Sequence, residues 1–173
     1  MDMKLLALLA LLPTAVVSVA SAAESTHVLT DDLVKHWQTS RDFSVAVAEA
    51  MPEDAYSFKA SEPEMNFGEQ INHIALANAN YCSAALGTKS SVVKGADNSK
   101  NTAIKNLEDS YDFCLNGLKK LSDAELQDTV STRSGAVTKF DLFWGAFTHA
   151  AHHRGQTEVY LRLKGITPPG YKF

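Results

Sequence analysis

Four stretches of helical periodicity, each about 20 residues long, constrain this chain more than any other feature of it. Over about 30–51, Leu33, Trp37, Phe43, Val47 and Ala48 recur near a period of 3.6, and Pro52 closes the run. Thr30, Asp31 and Asp32 stand at its start, where free amides and the helix dipole favour capping and acidic side chains. The second run, about 65–86, is rich in alanine and asparagine, carries Ile71, Ile74 and Leu86, and stops at Gly87. The third, about 99–121, presents Ile104, Leu107, Tyr111, Cys114, Leu115 and Leu118. The fourth, about 139–164, opens on a Thr138/Asp141 capping box and ends at Gly165, with Pro168 and Pro169 preventing continuation. Between the third and fourth, Ser122 to Glu125 forms another capping box, and 128–138 reads as a loop with short strands about Gly135. Four amphipathic helices that must bury one face each predict an all-α fold, a four-helix bundle.

The N-terminus stands apart. Lys4 precedes an apolar run from Leu5 to Ala20, and Ala20-Ser21-Ala22 supplies the small residues of a signal-peptidase site. The run is about 16 residues with Pro13 inside it, short of the roughly 20 that span a bilayer. The expected organisation is therefore a signal peptide at 1–22 and one domain at 23–173, exported to the periplasm or secreted, with no stable membrane anchor. Export bears on Cys82 and Cys114. In an oxidising compartment they can pair if their Cα atoms lie within about 7 Å; otherwise they pack as two buried thiols. Sixteen basic residues against 20 acidic ones, with no dense basic run, exclude a nucleic-acid partner.

The chemistry lies in the histidines. Three of the six crowd into His149-Ala150-Ala151-His152-His153. An i, i+4 pair sits about 40° apart around a helix, one turn up, so His149 and His153 can face one ion. His149 with His152 is the alternative pair, His152 otherwise standing beside the site. Two ligands on one helix hold a metal poorly, and His73, mid-helix among Ile74, Ala75 and Ala77, is the best third. His27 reads as loop and His36 as surface. A histidine on an apolar face is more often a hydrogen-bonded core residue, and spacing alone leaves that reading open.

The segment His149 to Gln156 (HAAHHRGQ), followed by Tyr160-Leu161-Arg162 and Gly165-Ile166-Thr167-Pro168-Pro169, resembles the last helix of the DinB-like family. Met51-Pro52-Glu53, Tyr56-Ser57-Phe58, Phe67-Gly68-Glu69-Gln70 and His73-Ile74-Ala75 resemble its first loop and second helix. The resemblance spans the whole chain after the leader. It implies a bundle connected up-down-down-up with a long crossover, and a metal site formed by His73, His149 and His153. It further implies a divalent ion, zinc or nickel, and a bundle that is often a homodimer. Some branches are transferases or isomerases that use bacillithiol or mycothiol; those thiols are cytosolic, which argues against that role for an exported chain. The family's name refers to induction by DNA damage and implies no contact with DNA.

Three neutral imidazoles leave the full 2+ charge on an ion, which acidifies water and polarises a substrate oxygen or sulfur. A metal-dependent hydrolase or transferase acting on an unknown small molecule is the expected function; the alternative is a non-catalytic metal-binding or stress-response protein. Glu69 and Tyr81, one turn before and two turns after His73, are candidates to share its face, although a surface Glu and a core Tyr are the commoner outcome. Arg154 and Gln156 are expected in an ion pair or in hydrogen bonds that orient the ligands.

Overall fold

The computed structural model describes residues 26–92, 97–133 and 135–172. The expected signal peptide at 1–22 lies outside the described residues. Four long helices carry the architecture: α1 (Val28–Ala50), α2 (Phe67–Leu86), α3 (Lys100–Leu118) and α5 (Lys139–Leu163). A 3₁₀ turn (Glu53–Ala55) and a one-turn helix α4 (Asp123–Leu126) fill two of the connections. The expected bundle is present, but it is not purely helical. Strands β1 (Thr129–Thr132) and β2 (Gly135–Thr138) form an antiparallel hairpin, Thr129 opposite Thr138 and Thr132 opposite Gly135. The β-branched residues of this stretch suit an extended chain, and Gly135 takes a φ of +115° that a side chain would oppose.

Contacts between helices give their directions. Asn72 is bonded to Asn106, Asn78 to Ser110, and Cys82 is joined to Cys114, so α2 and α3 run parallel. Ser40 and Ser44 meet Tyr111, while Lys100 donates to the carbonyls of Glu49 and Met51, so α1 and α3 are antiparallel. Tyr81 stands beside His149 and Tyr160 donates to Met65 O, which makes α2 and α5 antiparallel. Trp37 packs on Phe147, and Arg154 on Phe43 further along both helices, so α1 and α5 are parallel. The order is up-down-down-up, with α5 seated between α1 and α2.

Parallel neighbours force the α2–α3 connection to travel back along the bundle. A 20-residue helix is about 30 Å long, a distance within the reach of about 43 Å that residues 87–99 have. Their returning end is fastened to the start of α2. Asn72 donates to Asp97 O and Asn98 Oδ1, and a Cβ on Gly68 would lie 2.2 Å from Asn98 O. Glycine at 68 is what lets the crossover lie this close.

Two helix starts are held as the local sequence dictates, and that of α1 is not. Ser122 with Glu125 and Thr138 with Asp141 form reciprocal capping boxes as expected. At α1, Thr30, Asp31 and Asp32 do not cap, because the helix begins earlier, at Val28. Asp123, at the start of α4, takes that duty from 93 residues away, accepting from the amide and hydroxyl of Thr30 and the amide of Leu29. Trp37, fully buried, fills the centre of the bundle edge-on to Tyr111 of α3 and Phe143 of α5. Burial of a side chain of that size stabilises by roughly 1.5–3 kcal/mol or more.

Cys82 and Cys114 form a disulfide across α2 and α3, with Cα atoms 5.5 Å apart. It bypasses 32 residues of chain, and the loss of unfolded-state entropy for a loop of that size is about 3–4 kcal/mol. The Cys82→Ala/Cys114→Ala variant is expected to lose about that much in urea unfolding, and reductant should remove the difference between it and the parent. A loss smaller than about 1 kcal/mol would mean that the bridge does not constrain the unfolded chain.

Candidate metal centre

α2 and α5 approach closely because the residues between them are small. Ala77 on α2, one turn after His73, and Ala146 on α5, one turn before His149, are buried, and a Cβ on Gly145 would lie 3.1 Å from the Tyr81 ring. The histidines point into this seam. His73 Nε2 lies 3.2 Å from His149 Nε2, and the ring centroids of His73 and His149 are each 4.4 Å from that of His153. One ligand nitrogen from each of the three falls within 4.8 Å of the others. Among the described residues, this is the group of histidines, cysteines and carboxylates that could hold a metal ion.

The donor set suits an ion. Two imidazole nitrogens bound at about 2.0–2.1 Å in a tetrahedral arrangement stand about 3.3 Å apart, close to the separation of His73 and His149. His153 Nδ1 lies 2.9 Å from Oε1 of Gln70, a buried residue one turn before His73. An amide oxygen only accepts, so the proton sits on Nδ1 and the Nε2 lone pair is left for a ligand bond. His149 Nδ1 is buried without a hydrogen-bond partner, and that ring is held by packing, with Tyr81 6.4 Å away.

Burial lowers the pKa of all three rings. For His149 the neighbouring His73 and His152 add to the effect, and His153, beside His149, His73 and His152, falls to about 4. Neutral imidazoles are the form that binds metal.

The expected neighbours divide. His152 is exposed, bonded to Gln156 Nε2 at 3.2 Å, with its ring against His153 but outside the three-residue cluster. Glu69 is removed from the site: it closes a capping box with Asn66 at the start of α2, each accepting from the other's backbone amide. Arg154 makes a hydrogen bond, as expected, but on the far side of α5, donating to Ser40 Oγ at 3.2 Å with its guanidinium 4.5 Å from the Phe43 ring. His27 bonds Leu121 O from the foot of α1, and His36 is on the surface.

Comparison with known proteins identifies the family. The profile described as "DinB family" matches residues 25–173. The chain belongs to the DinB family. Among curated proteins it is similar to the uncharacterized protein YjoA of Bacillus subtilis strain 168, 26% identical over 141 residues, 79% of this chain and 92% of that protein. Among solved structures, a DinB-like protein from Bacillus cereus ATCC 10987 superposes with a TM-score of 0.73 at 16% identity, covering 82% of this chain and 97% of the other. The structure of Bacillus subtilis YjoA gives 0.68 at 24% identity, covering 81% and 96%. At these identities the structures establish a shared fold.

Gln70 is the residue of this DinB-family chain that sequence reasoning did not assign. Its signal was its spacing: three residues before His73 it shares that residue's face of α2. Gln70→Leu keeps the bulk and removes the acceptor, and zinc affinity measured by chelator competition is expected to fall about 10–100-fold. Gln70→Glu, which restores an acceptor, should recover most of the loss. Equal affinities across the three proteins would show that the bond does not orient His153.

Proposed function

We propose that this protein is a divalent-metal-binding member of the DinB family and a metal-dependent hydrolase or transferase, with His73, His149 and His153 as the ligands of a zinc or nickel ion. The convergence of three ring nitrogens within 4.8 Å, from two helices locked antiparallel, carries this reading. Gln70 supports it by presenting His153 Nε2, and the lowered pKa values keep the rings unprotonated near neutrality. When bound, the ion would supply Lewis acidity toward a substrate oxygen or sulfur.

The chain's own contribution is orientation and access. α2 and α5 fix the rings, and the buried core behind them keeps water from that side. His73, His149 and His153 are each half-buried rather than enclosed, so the seam is open on one side. A catalytic reading needs such an opening, whereas the non-catalytic alternative needs a fourth protein ligand; the cluster of described residues comprises three. His152 and Gln156 stand at the rim, where a substrate would pass.

Elemental analysis of untagged protein is expected to find about one equivalent of metal, and far less in His73→Ala and His153→Ala. Unchanged metal content in both variants would sink the assignment. A screen of the zinc- and nickel-loaded protein against esters, amides, phosphoesters and thiols should then find a turnover that both variants lose; metal content without any turnover would favour the non-catalytic alternative.

We also propose export. The apolar run from Leu5 to Ala20 and the Ala20-Ser21-Ala22 site support it, and so does the Cys82–Cys114 disulfide, a bond that persists in oxidising compartments. The protein recovered from the periplasm or medium should begin at Ala23 or Glu24 by intact mass; a full-length chain retained in the cytosol would contradict this.

A further inference from the structure

The opposite side of α5 carries a second cavity. At 100° per residue, Trp144, Phe147, Ala151 and Arg154 centre on a line roughly 160° around the helix from His149 and His153. They line a cavity of 220 Å³ between α1 and α5, with Ser40 of α1 on one wall and Lys172 of the C-terminal segment at its edge. The proposed metal centre opens into the other groove, between α5 and α2.

Arg154 is the notable lining residue. Its side chain is only 9% exposed, yet no described carboxylate pairs with it. Its recorded partners are the Ser40 hydroxyl and the face of Phe43. Ser40 in turn shares the Tyr111 hydroxyl with Ser44, so the described residues of this wall form a buried polar network without a negative charge. Burying a guanidinium without an anion is costly, and its planar fork matches a carboxylate through two parallel N–H bonds.

The other walls are aromatic. Trp144 stacks on Phe140 with rings 7° apart and on Phe147 with rings 19° apart, and Trp144 remains 50% exposed. A flat apolar face beside a buried cation is suited to a flat apolar anion. The volume lies below the roughly 300–1,000 Å³ of sites for drug-sized ligands, which restricts the occupant to about one ring.

We infer that the α1–α5 cavity binds a small aromatic carboxylate, its carboxylate on the Arg154 guanidinium and its ring against Trp144 and Phe147. The site is separate from the proposed metal centre and does not depend on it.

Calorimetric titration of the full chain with benzoate tests this, using benzyl alcohol as a neutral analogue and inorganic phosphate as a small anion. Benzoate is expected to bind saturably at one site, with the other two at least tenfold weaker. Arg154→Met should weaken benzoate at least tenfold. Ala151→Phe, which fills the cavity and leaves the guanidinium in place, should do the same and serves if Arg154→Met fails to fold. Because a carboxylate can also ligate a metal, the titration is repeated on His149→Ala and after chelation. Retained binding supports the cavity. Binding lost in His149→Ala or after chelation would overturn it in favour of the metal centre. Binding unchanged in Ala151→Phe would overturn it, as would phosphate binding as tightly as benzoate, or the absence of saturable benzoate binding.

Discussion

The close approach of α2 and α5 is the constraint on which the rest depends. Helix axes can come this near only where side chains at the contact are small, and here Ala77, Ala146 and Gly145 occupy it. Larger residues at these places would push His73 away from His149 and His153 and leave three unrelated core histidines. The same closeness accounts for the altered protonation of the rings. Burial and mutual proximity disfavour the charged form, so the feature that assembles the cluster also readies it for an electrophile.

Helix order follows from a second constraint, the parallel run of α2 and α3. Antiparallel neighbours can be joined by a few residues, but parallel ones need a connection as long as the helix. The crossover is accommodated by Gly68, whose missing Cβ makes room for Asn98, and by the Asn72 side chain, which ties it down. With α2 and α3 together on one side, α5 is left between α1 and α2, and its two flanks become different environments. One carries imidazoles and the other a guanidinium and aromatic rings.

How much of this was legible in the residues differs by scale. The long helices were, because the burial of Leu33, Trp37, Phe43, Leu107 and Tyr111 follows a period the sequence displays. The local caps at Ser122 and Thr138 were too, since both partners lie within one turn. The histidine cluster was half legible. Spacing brings His149 and His153 to one face, but only the resemblance to the DinB-like family pointed His73 toward them. Contacts made across the bundle were not legible at all. Asp123 caps a helix 93 residues upstream, Gln70 bonds a histidine 83 residues on, and Arg154 reaches back to Ser40. Each depends on which helices are neighbours, a fact no single helix records. Glu69 is the instructive case, because Asn66 three residues earlier is itself a capping signal. Beginning that helix at about residue 65 concealed it and left Glu69 looking like a candidate for the site.

The disulfide has a consequence beyond its own helices, because the two closures of the chain are nested. Residues 82 and 114 lie inside the segment from His73 to His149. Once Cys82 is joined to Cys114, the shortest covalent path between those two histidines is no longer 76 residues but that number less the 32 bypassed. By the logarithmic dependence of loop closure on length, an unfolded chain that keeps the bridge gives up about 0.5 kcal/mol less entropy on bringing them together. The oxidation state of two sulfurs is in this way coupled, weakly and through the unfolded chain alone, to the ease of assembling a cluster that neither sulfur touches.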